Sequence, residues 1–409
     1  MTHPYKSGNG ARRIILVEVP NQTKGDIVRY PVSMAILSAT LLAACAAQPP
    51  APKQYQPIPL GLFSDGIHHW QNLHGKDYPR YREDQIVEIA NNVLLYQRDN
   101  GGWIENRDPA RILDDSDIKA AEAEKANPKG SFDNRNVYSQ VEYLFAAYDQ
   151  TGNKTYRQAA LKGLRYTLSM QHKKCGGWPH TVPGAQPYHP YITMADEVTS
   201  GVLRMLRKVE QADPPFKSVD AADRTAATDA RKRGDACVLQ LQVRQNDKLA
   251  GWAGQYDPET LQPAQGRSFE LPSMVSQESV EMARYLMSIP APSPEVVAAI
   301  DGVMAWFERS KLTGWKIETI KLDQPVKYDY HTATTDRRLV QDPDAGPLWG
   351  RFYDVKDNSI VLANRDGIRV KDYSQIHHER RTGYAWYGVW PTKVLYEEYP
   401  AWKKRMGRG

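Results

Sequence analysis

The feature that most constrains this chain is a repeat. Tyr81-Arg82 opens a helix-like segment that closes on Gln97, and Tyr156-Arg157 opens another that closes on Gln171. Each runs into a turn and a Gly-Gly-Trp, Gly101-Gly102-Trp103 and then Gly176-Gly177-Trp178; a weaker third copy ends at Gln242 and reaches Gly251-Trp252. Self-similarity at a fixed period of this length marks one supersecondary unit built several times. Apolar residues recur at helical spacing inside the copies, as in Ile86, Ile89, Val93 and Leu94 or Ala160, Leu164 and Leu168. A second helix fits between copies, over 137–149 and 197–211. The expected fold is therefore mainly α, an (α/α)3 toroid of repeated helix pairs. A few short strands are expected near the C-terminus, where the chain from about residue 315 is richer in Tyr, Trp and β-branched residues. Loops at the helix ends should gather at one end and carry the site. The repeated Trp103, Trp178 and Trp252 read as plugs between helix pairs. Tyr384 shares their flat, amphipathic ring face.

Ahead of the repeat, Lys24 and Arg29 precede an apolar run, 32–44, then Cys45 and Gln-Pro-Pro-Ala-Pro. The run falls short of the roughly 18 apolar residues a spanning helix needs, and suits an export signal. Leu42-Ala43-Ala44-Cys45 is similar to a bacterial lipobox, whose cysteine is acylated, and Pro49, Pro50 and Pro52 then break any helix. The division expected is 1–44 export signal, 45–74 lipoprotein-type N-terminus and linker, and 75–409 catalytic domain. Because the run begins so far in, translation is expected to start near Val28 or Met34. The protein should be exported, to the periplasm, to the outer membrane as a lipoprotein, or beyond the cell, with Cys45 its sole membrane attachment. Removal of 1–44 leaves 48 basic against 46 acidic side chains, +2 in place of +5. That balance does not point to a nucleic-acid binder. Cys175 and Cys237 have no zinc-like spacing and read as two small apolar residues near helix ends. Asp114, Asp115 and Asp117 read as solvated surface.

Several segments, in order along 75–402, carry a family resemblance. They are Asp133-Asn134, Gly176-Gly177-Trp178-Pro179, Ile192-Thr193 with Asp196-Glu197, Phe269-Glu270-Leu271-Pro272-Ser273, Glu278-Ser279 and Lys311-Leu312-Thr313-Gly314. Further on stand Pro347-Leu348-Trp349-Gly350-Arg351-Phe352-Tyr353 and Arg380-Arg381-Thr382-Gly383-Tyr384-Ala385-Trp386-Tyr387-Gly388. Together they resemble the family 10 polysaccharide lyases, calcium-dependent pectate lyases that cut α-1,4-polygalacturonate by β-elimination. The resemblance implies calcium held by Asp133, Asn134, Asp196 and Glu197, substrate bound by Asp133, Arg337 and Arg351, and Arg267 as base. The chemistry suits those residue types: the C5 proton beside a carboxylate is a poor acid, and a hard cation on that carboxylate stabilises the enolate-like intermediate. Guanidinium forks suit uronate carboxylates. Arginine is an awkward base, since its pKa lies above about 12. Asp133-Asn134 and Asp196-Glu197 would equally cap helices, but equivalent helix ends in a ring can share one site. A pectin-type polymer is the expected partner and a monomer the expected state.

Three departures stand against the family pattern: Arg135-Asn136-Val137-Tyr138 where small residues and threonines are usual, Ile104-Glu105-Asn106 where Pro-Lys-Asn is common, and Glu197 for a second aspartate. Glu105 would repel an anionic substrate. Two further readings follow, a lyase for another uronate or a methylated pectin, and a non-catalytic lipoprotein that binds acidic polysaccharide. Neither a nucleophile elbow nor a His-x-x-x-His metal pair is present.

Overall fold

Three helical hairpins follow the repeat register. The computed structural model describes residues 54–329 and 331–408; the signal, start-site and Cys45 expectations lie outside them. Helices are α1 (Ser64–His74), α2 (Ile86–Tyr96), α3 (Asp115–Ala123), α4 (Tyr138–Thr151), α5 (Lys154–Ser169), α6 (Val198–Gln211), α7 (Ala221–Leu241), α8 (Ser276–Met287) and α9 (Pro294–Ser310). The pairs α4–α5, α6–α7 and α8–α9 form the (α/α)3 unit. Successive α4, α6 and α8 touch in one layer, and α2, α5, α7 and α9 in the other. Local chemistry sets the boundaries. Gly152, at φ 70°, ends α4, and Asn153 caps α5 by accepting from the Thr155 amide. Asp220 caps α7, and Ser293 caps α9 with Pro294 in its first turn. Asp114 caps α3 in a capping box with Asp117, which also pairs with Arg111 at 2.7 Å, so the aspartate cluster is indeed helix-end chemistry at the surface.

The repeat is a repeat of hydrogen bonds. Indole Nε1 of Trp103, Trp178 and Trp252 donates to the carbonyls of Val93, Thr167 and Val238, each at 2.8 Å. Gln97, Gln171 and Gln242 each donate from Nε2 to the turn that follows (Gly101, Gly176, Ala250) and to the next outer helix (Ala159, Ala230, Ala299). All three indoles are buried. Gly163 and Gly234 leave them room, for a Cβ on Gly163 would lie 2.7 Å from the Trp103 ring. Trp178→Ala should therefore destabilise by about 3–5 kcal/mol, as large aromatic truncations do. Denaturant unfolding at unchanged slope tests this, and a loss below about 1 kcal/mol would contradict the plug role.

A fourth copy escapes the sequence reading. Trp349 donates to the Phe307 carbonyl at 2.8 Å, but an antiparallel hairpin, Trp315–Lys327 with Thr332–Gln341, is inserted between α9 and this tryptophan. The expected short strands are thus joined by one long ribbon. Its Ile317 and Leu339 pack on a second core of Phe269, Val275, Phe352, Val361, Trp386 and neighbours. The chain ends in α10 (His378–Gly383), α11 (Pro391–Lys393) and α12 (Tyr399–Arg405). Two expectations are corrected. The linker does not run to residue 74, because Leu60, Phe63 and Trp70 are buried. Cys175 and Cys237 are not separate small residues but a disulfide, with Cα atoms 5.0 Å apart. The reason lies in the repeat: Cys175 is in the second Gly-Gly-Trp turn and Cys237 on α7, the outer helix that turn packs against. Closing a loop 62 residues apart in sequence, the bond should contribute about 2–4 kcal/mol. Reduction without denaturant, followed by unfolding, should show that loss, and identical curves would show that the bond contributes nothing.

Candidate active site

Strand pairing brings the loop ends together. Gly130–Ser131, Ile192–Thr193 and Met274–Val275 each lead into an inner helix, and each pairs with a strand beyond the next tryptophan turn: Thr181–Val182, Gln255–Tyr256 and Phe352–Tyr353. Main-chain amides of Ser131, Thr193 and Val275 donate to the carbonyls of Trp103, Trp178 and Trp252. Each copy thus delivers two elements to one end, the start of an inner helix and the residue two past its tryptophan. The second element is Glu105, His180, Gly254 and Arg351 in turn, and all four line one cleft of about 460 Å³.

Asp133, Asn134, Asp196, Arg267 and Arg351 meet in that cleft. Asn134 (φ 52°) and Asp196 (φ 51°) both occupy left-handed backbone, a conformation of real cost outside glycine that collects at functional sites. Asp133 faces His180 at 3.4 Å, and Asn134 donates to Asp133 at 3.2 Å and to Asn106 at 2.8 Å. Burial would push the Asp133 carboxyl up, but His180 and the charge of Arg267 hold it below the usual range. His180, penalised by burial yet paired with Asp133, is held above its ordinary value. The Asp196 carboxylate makes no hydrogen bond among the described residues. Burial and repulsion from Asp133 and Glu278, opposed by Arg351 and Arg267, push it up to about 7.

Arg267 comes from the loop before Phe269 and is gripped by Glu270, whose Oε1 takes a guanidinium N–H while Oε2 accepts the Arg267 amide at 3.0 Å. Tyr384 donates to the same Oε1 at 2.7 Å. Burial opposes the charge on Arg267, but Glu270 outweighs it and raises the pKa above the ordinary value. Glu270 in turn, despite burial, is held down to about 2 by Arg267. Arg351 pairs with Glu278 at 2.9 Å and lies over the Tyr384 ring at 4.6 Å.

Two predicted residues are not brought into this cleft. The Glu197 side chain is held by Arg204 and by Arg135 at 2.6 Å, and it lines an adjoining cavity of about 300 Å³. A single step along a left-handed turn, φ 57° at Glu197, turns it away from Asp196. Arg337 sits on the inserted hairpin behind the cleft, its guanidinium 3.5 Å from the Tyr384 carbonyl, while Arg338 pairs with Glu318 at the surface. Glu270, Tyr188, His180, His189 and His69 line the cleft without having been singled out. For His180 a signal was present, its place two residues past Trp178. His69 comes from α1, ahead of the repeat, and no pattern pointed to it.

The donors suit a hard cation. Asp133, Asn134 and Asp196 present oxygen, and Asp196 lacks a partner for a charge its surroundings disfavour. Among the described residues no three His, Cys, Asp or Glu side chains form a metal cage, so protein oxygens would fill part of a calcium sphere and substrate oxygens or water the rest.

Solved structures give the class. A family 10 polysaccharide lyase from Cellvibrio cellulosa is similar at 25% identity and TM-score 0.67, over 86% of this chain and 99% of that one. A mutant of that lyase in complex with trigalacturonic acid is similar at 25% identity and TM-score 0.66, over 86% and 100%. The present chain is a polysaccharide lyase. The family model described as pectic acid lyase matches residues 97–395, and the chain belongs to that family. No curated protein matches it.

Proposed function

We propose that the protein cleaves α-1,4-linked polygalacturonate by calcium-dependent β-elimination, yielding 4,5-unsaturated oligogalacturonides. The observation that carries this reading is the Asp133–Asp196 pair facing Arg267 and Arg351 in one cleft; the trigalacturonate bound by the similar lyase supports the substrate. Asp133, Asn134 and Asp196 would hold calcium, in place of the larger set that included Glu197. The chemistry that calcium would supply there is Lewis-acid stabilisation of the negative charge that develops as the C5 proton leaves. Arg351, fixed by Glu278 and Tyr384, binds a substrate carboxylate. Arg337 acts at one remove, as a support beneath Tyr384. Arg267 takes the C5 proton, and the electron pair left at C5 forms the C4–C5 double bond as the C4 oxygen departs. In the substrate-free cleft Glu270 keeps Arg267 protonated, so the base forms only once that hold is relaxed.

The disulfide supports export to an oxidising compartment, and we place the protein there as a monomer, lipid-anchored at Cys45. Mass spectrometry of trigalacturonate products tests the reaction: elimination leaves one of the two products lighter by one water than its saturated counterpart, and two saturated products, together heavier than the substrate by one water, would make the enzyme a hydrolase.

A further inference from the structure

Glu105 and His180 stand at the same place in successive copies, two residues past Trp103 and Trp178, and both line the cleft. Glu105 Oε2 is buried and has no hydrogen-bond partner among the described residues. Among the described residues, the cations that line the cleft are each paired with a carboxylate, and Lys129, whose charge reaches His189, does not line it. Asn106 accepts from Asn134 at 2.8 Å, and the His180 charge is taken up by Asp133. His180 stacks on His189 with ring centroids 5.0 Å apart, and Tyr188 stands edge-on to both. The two guanidiniums that line the cleft, Arg267 and Arg351, are engaged by Glu270 and Glu278. This part of the cleft thus offers a carboxylate, an amide, a phenol and flat ring faces.

A galacturonate carboxylate set against Glu105 would meet like charge in partly desolvated surroundings. Its methyl ester would present a neutral carbonyl and a methyl group to the rings instead. We infer that the wall formed by Glu105, Tyr188 and His189 is a subsite for an uncharged sugar unit, a methyl-esterified galacturonate within a mixed chain, and that Glu105 sets this preference. The inference rests on the elimination reading above and names which pectin that site takes.

The test compares polygalacturonate with partly methyl-esterified pectin, by initial rates of unsaturated product formation and by calorimetric binding of the corresponding trisaccharides. The expected result is that Glu105→Gln moves the kcat/KM ratio about tenfold towards polygalacturonate, the effect of removing one nearby like charge. Glu105→Lys should move it further the same way, and Glu105→Asp should leave the ratio where it is. The binding ratio should follow. Equal ratios in wild type, Glu105→Gln and Glu105→Lys overturn the proposal. A binding ratio that shifts in a protein forming no product from either polymer would keep the subsite and overturn the elimination reading.

Discussion

Arg267→Ala is expected to lower kcat on polygalacturonate by about 10²–10⁴-fold, the range a positioned base supplies, with KM changed only a few-fold. The separation follows from position. Arg351, anchored by Glu278 and Tyr384, continues to bind carboxylate, whereas Arg267 contacts Glu270 and two rings, Phe269 at 5.0 Å and Tyr384 at 5.3 Å. The single variant strands Glu270 as a largely buried carboxylate, and loss of one partner of such a pair costs about 3–5 kcal/mol when fully buried. Arg267 is half-exposed, 48% by side chain, so a smaller loss is expected here. The double variant Arg267→Ala/Glu270→Gln removes the stranded charge and should recover stability without recovering rate. Steady-state kinetics with unfolding curves on both variants check this. A double variant that regained ordinary turnover would show that Arg267 only neutralises Glu270.

Asp196→Asn is expected to abolish calcium-dependent turnover, by about 10²–10³-fold or more, and to stabilise the calcium-free protein at the same time. The sign follows from its folded-state pKa, raised to about 7 from the ordinary carboxylate value of 3.8. The native state holds that proton more tightly than the unfolded chain, so the contribution is fully present below the unfolded pKa. It is lost as pH rises through about 7. In chelator, wild type and Asp196→Asn should have matching stability near pH 4, and the variant should lead by about 1–3 kcal/mol near pH 8, allowing for screening in a partly solvated cleft. Calcium should raise the melting temperature of wild type and not of the variant. Equal stability at both pH values, with calcium stabilising both proteins alike, would remove Asp196 from the cation site.

The helical hairpins were legible because Gly-Gly-Trp, with its preceding glutamine, is a packing unit. The indole bond to the outer helix and the glutamine bonds to the next helix need those residues in every copy. The fourth copy was hidden because the 315–341 hairpin parts Trp349 from its helix. Within the site, Asp133, Asn134, Asp196, Arg267 and Arg351 were legible as motif residues and do share one cleft. Glu197 and Arg337 were not placed by the same reasoning. A left-handed turn reverses the side-chain direction between Asp196 and Glu197, and a strand pairing, Thr319 opposite Arg337, directs the second. The disulfide joins two copies, so counting cysteines could not reveal it, whereas laying the copies over one another would have brought Cys175 to α7.

The most direct measurement is ultraviolet absorbance of the unsaturated product, on the purified protein with polygalacturonate, in calcium, in chelator and after calcium is restored. A steady rise in calcium, none in chelator, and recovery on restoration are expected. A folded protein that gives no rise with calcium present, or the same rise in chelator, would contradict calcium-dependent elimination.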